Sequence, residues 1–175
     1  MGSILTRMGR LRSILGSTLF AIVVPGTVAG LLPWLITGWH SSHVPAALRL
    51  VGAALIVLGL PVLLDAIYRF AIEGSGTPAP IAPTRHLVVG GPNRFVRNPM
   101  YLAVVAIVFG QALLLGQWSL AWYGLIVAAG QALFVRFYEE PTLQRAFGVE
   151  YERYRAAVPP WVPRLTPWHP DEETR

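Results

Sequence analysis

Arg94 to Gly116 reads RFVRNPMYLAVVAIVFGQALLLG, and from Trp118 the chain resumes as WSLAWYGLIVAAGQALFVRFYEEP, ending at Pro141. Residues 100–116 and 118–135 contain no charged side chain. With only Gly116 and Gln117 between them, two apolar segments of that length fold back on each other as an antiparallel helical hairpin. Equal counts back from the turn, at about 1.5 Å of rise per residue, set Arg97 level with Arg136 and Arg94 level with Glu139. The polar cluster before one helix is thereby held beside the polar end of the other.

The rest of the chain agrees with a hairpin in a membrane. Hydrophobic residues make up 54% of the 175 and charged residues only 13%, far more apolar side chain than one small soluble core needs. A crossing takes about 20 apolar residues, and four segments qualify, roughly 14–37, 46–71, 100–116 and 118–137. The first follows Arg7, Arg10 and Arg12, but it is too long for a signal peptide and lacks a clean cleavage site, so it reads as a retained anchor. Arginines gather between the second and third spans (Arg85, Arg94, Arg97) and after the fourth (Arg145, Arg153, Arg155, Arg164). The other two connections hold only His40, His43 and Arg49, so the positive-inside rule puts both termini and the long middle loop in the cytoplasm. Trp34, Trp39, Trp118 and Trp122 then fall near the opposite face, as an aromatic belt.

The expected fold is therefore all-α: a single polytopic bundle over 1–175 with about four transmembrane helices and a C-terminal amphipathic helix on the cytoplasmic surface, in a bacterial-type cell membrane. That last helix is read from PTLQRAFGVEYERYRAAV, where Leu143, Phe147, Tyr151 and Tyr154 recur at steps of three and four behind Pro141. EGSGTPAPIAP, from Glu73 to Pro83, is too rich in Gly and Pro for regular structure. The proline-broken tail is expected to fray, with 165–175 flexible. With no cysteine, a thiolate zinc site and a cysteine nucleophile are excluded, and no metal is expected. The net charge of +5 is what topology alone requires, so nucleic acid is not an expected partner.

Chemistry concentrates where the hairpin's polar ends meet. Glu139 and Glu140 repel each other and sit at a helix C-terminus, where the macrodipole disfavours negative charge. They call for a cation. Arg94, Arg97 and Arg136 could supply it as a structural ion-pair network; alternatively the carboxylates face a cleft and bind a ligand bearing positive charge or amino groups, with Asn98 contributing hydrogen bonds. Pro99 fixes the bend from loop into helix.

GGPNRFVRNPMYL followed by YEEPTLQRAFGVEYERYRAAVPPWVPR resembles the isoprenylcysteine carboxyl methyltransferase and phospholipid methyltransferase family of integral membrane enzymes. Members share R-H-P-x-Y before one membrane helix, a Glu-Glu pair after the next, then F-G-x-x-Y-x-x-Y. The resemblance covers 84–164, about half the chain, as a motif-bearing core. Asn98 stands where the family often has histidine, so this side chain can hydrogen-bond a ligand but is no base. The resemblance implies S-adenosylmethionine as cofactor, with Arg97, Asn98, Pro99 and Tyr101 matching the first motif and Glu139 and Glu140 the second. It implies a lipophilic acceptor, a prenylcysteine-like carboxylate or a phospholipid-like amine, and membrane lipids as partners.

Weaker candidates surround these. His86 precedes the turn and could approach the cofactor, or be an exposed loop histidine; Gly90, Gly91 and Pro92 form the turn and permit close backbone approach. Gln131, Tyr151 and Tyr154 are candidates for contact with the acceptor, the tyrosines having packing as the alternative. Asp65 lies within a span, yet Arg69 is one helical turn on and placed to pair with it. No residue is singled out as a catalytic base. The rival readings are a sterol-reductase-like enzyme using NADPH and a non-enzymatic membrane scaffold. Adjacent carboxylates argue against the first, because a dinucleotide pyrophosphate favours arginines and helix N-termini.

Overall fold

Pro99 and Gly116 bound the first arm of the hairpin. The computed structural model describes residues 23–72 and 87–169, and regular structure there is entirely helical. Pro99 occupies the first turn of a helix over Pro99–Leu115, where its missing N–H is no loss and its fixed φ suits the helix. Gly116 ends that helix at φ 68°, donating its N–H to the Ala112 carbonyl. After Gln117 the second arm runs over Trp118–Phe147. In chain order the helices are α1 (Val23–Thr37), α2 (Ala46–Ile72), α3 (Pro99–Leu115), α4 (Trp118–Phe147) and α5 (Val149–Ala157).

Two of them, over Ala46–Arg69 and Trp118–Phe147, are long and apolar enough to cross a membrane; α1 and α3 are shorter apolar helices. The long helices are not the buried core of a soluble protein, since only 22% and 17% of their most apolar windows are buried. Leu50, Leu58, Leu64, Trp118, Ile126 and Phe137 all point outward. Such a continuous apolar exterior suits hydrocarbon rather than water. Residues 14–22 of the expected first span lie outside the described residues.

Small residues bring α2 and α3 together, and this is the most extensive helix contact in the fold. A methyl group on Gly52 would sit 2.6 Å from the Gly110 carbonyl oxygen, and one on Gly110 2.8 Å from the Gly52 carbonyl oxygen. Backbones in direct contact are how helices gain dispersion energy where no hydrophobic effect drives them together. Leu63, Ala103, Val104 and Ile107 extend the seam toward the motif loop. On the other side α1 contains a π-helical turn at Thr27–Leu31. Gln111 and Tyr123, on α3 and α4, donate to the Ala29 and Val28 carbonyls at 2.7 and 2.8 Å, fastening α1 to the hairpin where its own ladder is irregular.

The C-terminal part departs from expectation in two ways. Pro141 stands in the first turn of an amphipathic stretch, Glu140–Phe147, as expected, but that stretch continues α4 without a break, after a π-helical turn at Val135–Glu139. The break falls at Gly148, whose φ of 51° and ψ of −121° end one helix and start α5. The tail, expected to fray, is held through Trp168. Arg164 and Trp168 donate their N–H groups to the Phe95 and Arg94 carbonyls at 2.8 and 3.0 Å, and Arg97 donates its own to Pro159 at 2.9 Å. Prolines stop this segment from forming a helix but leave its other backbone groups to pair with the motif loop.

Candidate functional site

The segment between α2 and α3 is built around a 3-10 turn, Gly91–Arg94. Gly91 takes φ 55°, and a side chain there would run into the Arg69 guanidinium, so glycine is required twice over. Arg69 itself bonds Asp65 at 2.8 Å, the helical pair read from the sequence.

From the turn onward the two faces of the loop differ. Pro92, Phe95, Val96 and Pro99 line an open apolar groove of about 450 Å³, whose other wall is α2 at Leu55, Leu58, Gly59 and Val62. Asn93, Arg97 and Asn98 line a smaller cavity of about 60 Å³ together with Glu139, Glu140, Tyr151 and Tyr154. Val135 and Leu143 of α4, with Leu87 and Val88 ahead of the turn, complete its walls. The groove and the cavity thus lie back to back across one short stretch of chain.

In the cavity the two adjacent glutamates have unlike surroundings. Glu140 is buried, accepts from Arg97 Nη1 at 2.9 Å, and has Arg136 and Arg155 each at 3.5 Å. Its charge is fully compensated by protein. Glu139 accepts one bond, from the Tyr101 hydroxyl at 2.9 Å, and no arginine lies within ion-pairing distance of it among the described residues. The ion-pair network expected of the pair is thus present on Glu140, while Glu139 lines the cavity without one.

The donors are similarly divided. Arg97 Nη1 also reaches the Tyr151 hydroxyl at 3.1 Å, and Asn98 Nδ2 donates to the Pro160 carbonyl at 3.0 Å. The Tyr154 hydroxyl donates to the Asn93 carbonyl at 2.7 Å while its ring packs on Trp168, centroids 5.4 Å apart. Burial pushes the Tyr154 hydroxyl above the ordinary phenol range; burial also raises Tyr151, against the opposing pull of the Arg97 charge. Both hydroxyls keep their protons at neutral pH, Tyr154 donating to Asn93 and Tyr151 accepting from Arg97. Two buried donors remain without partners, Asn93 Nδ2 and Arg97 Nε.

Of the residues singled out in the sequence, Arg97, Asn98, Glu139, Glu140, Tyr151 and Tyr154 come together around this cavity. Tyr101 acts on it through Glu139. Pro92 and Pro99 belong to the groove behind, and Gly91 meets Arg69 instead. Gln131 is not among the cavity's lining residues, although its Oε1 is buried without a partner. His86 lies outside the described residues. The level count across the hairpin paired Arg97 with Arg136; the arginine in fact reaches a turn further, to Glu140, and Arg94 turns to the tail. Asn93 was missed, because an asparagine beside Gly-Pro reads as ordinary turn chemistry.

The set suits a small ligand that carries both charges: an uncompensated carboxylate can face its positive group and two unpartnered donors its negative one.

Apolar helices with an outward lipid-like surface, closing at one end over a buried polar cavity, have the character of a helical membrane protein. The sequence profile described as phospholipid methyltransferase matches residues 48–150, more than half the chain, from the start of α2 through the acid pair, and the chain belongs to that methyltransferase family. No curated relative and no solved structure matches it.

Proposed function

We propose that the chain is a multi-pass membrane enzyme that transfers a methyl group from S-adenosylmethionine to a lipophilic acceptor at the cytoplasmic membrane boundary. The observation that carries this reading is Glu139, a carboxylate on a cavity wall with no ion-pair partner among the described residues, beside a neighbour that has three. Charge left uncompensated at a pocket is where a cationic ligand gains most. Glu139, Arg97, Asn93 and Asn98 would hold the cofactor, which when bound supplies an electrophilic methyl carbon next to a sulfonium.

The protein's own part is alignment and the exclusion of water, effects worth together roughly 7–11 kcal/mol of a barrier. Asn98 takes no proton, its NH₂ being tied to Pro160. The groove between α2 and α3 offers about 450 Å³ of apolar space for a lipid tail, open to the side and backed by the loop that lines the cavity. Donor and acceptor then approach from opposite faces of that loop. The sterol-reductase alternative needs a pyrophosphate seat, and Glu139 repels one.

The test supplies purified protein with labelled S-adenosylmethionine and compares a membrane lipid extract with water-soluble head-group analogues. Label is expected in lipid only. Equal labelling of soluble analogues would defeat the groove as tail site, and binding of NADPH but not of S-adenosylmethionine would defeat the methyltransferase mechanism.

A further inference from the structure

Asn93 is 3% exposed and the Arg97 side chain 8% exposed, yet Asn93 Nδ2 and Arg97 Nε have no acceptor. Buried donors are seldom left that way, and two in one cavity mark where a ligand brings acceptors. The surrounding groups cannot turn to serve them. Glu140 is held by its arginines, and the Asn93 carbonyl is held by Tyr154. The one carboxylate oxygen left over belongs to Glu139.

Two donors and one carboxylate oxygen without partners among the described residues, all on side chains that line one cavity, form the complement of an ammonium and a carboxylate carried on a single carbon. The volume agrees. About 60 Å³ of cavity has room for roughly four to six waters at about 10–15 Å³ each, enough for an α-amino-acid group. We infer that the cavity takes the amino-acid end of the methyl donor, its ammonium toward Glu139 and its carboxylate on Asn93 Nδ2 and Arg97 Nε, and that Asn93 makes the site select ligands bearing that carboxylate. Arg97 cannot do so alone, because Glu140 already engages its charge. This rests on the methyl-donor reading above and adds to it an orientation and a selecting residue.

The experiment is calorimetric binding of S-adenosylhomocysteine, and of the same compound lacking only its carboxyl group, to the full-length protein and to Asn93→Leu and Asn93→Asp. The parent is expected to prefer the carboxylated ligand by about tenfold or more, the range for a hydrogen bond to a charged group. Asn93→Leu should lose most of that preference while binding the decarboxylated compound like the parent, which also reports an intact fold. Asn93→Asp, placing a carboxylate against a carboxylate, should reverse it. A parent that binds both compounds equally, or an Asn93→Leu variant that keeps the parent's preference, overturns the inference and leaves the methyl-donor reading standing. Loss of both compounds by both variants overturns it too, by making Asn93 a residue of the fold. A parent that binds neither sinks the methyl-donor reading as well.

Discussion

Glu140 faces three arginines and Glu139 a single phenol, and substitution should separate them. Glu139→Gln keeps the size and the bond from Tyr101 but removes the charge. It is expected to weaken S-adenosylmethionine binding at least tenfold with the thermal unfolding temperature unchanged. Glu140→Gln leaves Arg97 buried without its counter-charge and should cost on the order of 3 kcal/mol of stability. Calorimetry and thermal melts on both variants check this; equal effects of the two on the melt would contradict the division. The pair itself was legible in the sequence because two charges at the end of an apolar run stand out. Their division was not, because it depends on which helix face each occupies after the π-helical turn at Val135–Glu139. Asn98 was legible as a departure from the family motif, but its engagement by Pro160 depends on a tail that composition marks as irregular.

Among the helices, α2 and α3 approach until backbone meets backbone, and the closeness sets a testable asymmetry between glycines. Gly52→Ala should destabilise the protein in detergent by about 1–3 kcal/mol, since the added methyl meets the Gly110 carbonyl and the Leu114 amide, which cannot rotate away. Gly130→Ala on α4 has nothing within 4 Å of its new methyl and should be neutral or mildly stabilising. Chemical or thermal unfolding of the two variants side by side decides it; a destabilised Gly130→Ala with an unaffected Gly52→Ala would refute the packing. Hairpin, turn and helix boundaries around residues 99–118 were all readable, because Pro99 and Gly116 each require a special backbone geometry that only a boundary offers. Gly52 and Gly130 look alike in sequence. Only the partner helix tells them apart, and periodicity carries no information about a partner. The split of the last amphipathic segment at Gly148 escaped for a related reason: the apolar spacing of Leu143, Phe147, Tyr151 and Tyr154 runs across the break and still gathers in one cluster with Val158.

For the molecule as a whole, the arginine distribution predicts that the connection from Glu73 to Pro99 and the C-terminal tail face the cytoplasm. A chain without cysteine makes the check direct. Ser75→Cys and Thr174→Cys should escape an impermeant thiol reagent added to intact cells and react once the membrane is opened; labelling from outside would reverse the topology. The membrane character was readable from composition alone, because it is a sum over many residues and no single contact decides it. The seating of the tail was not, being made of main-chain hydrogen bonds that any sequence with free N–H groups could supply. Those bonds have a consequence for how the protein is made. Arg94, Phe95 and Arg97 leave the ribosome 62 to 74 residues before Pro159, Arg164 and Trp168, which complete their pairing (Arg97 to Pro159 is 62, Arg94 to Trp168 is 74). At a usual elongation rate of about 5–20 residues per second, the hairpin has several seconds in which it exists without its latch. Chains stopped short of Trp168 would enter the bilayer yet remain unfinished at the cavity, so biosynthesis itself delays a competent site until Trp168 has been made.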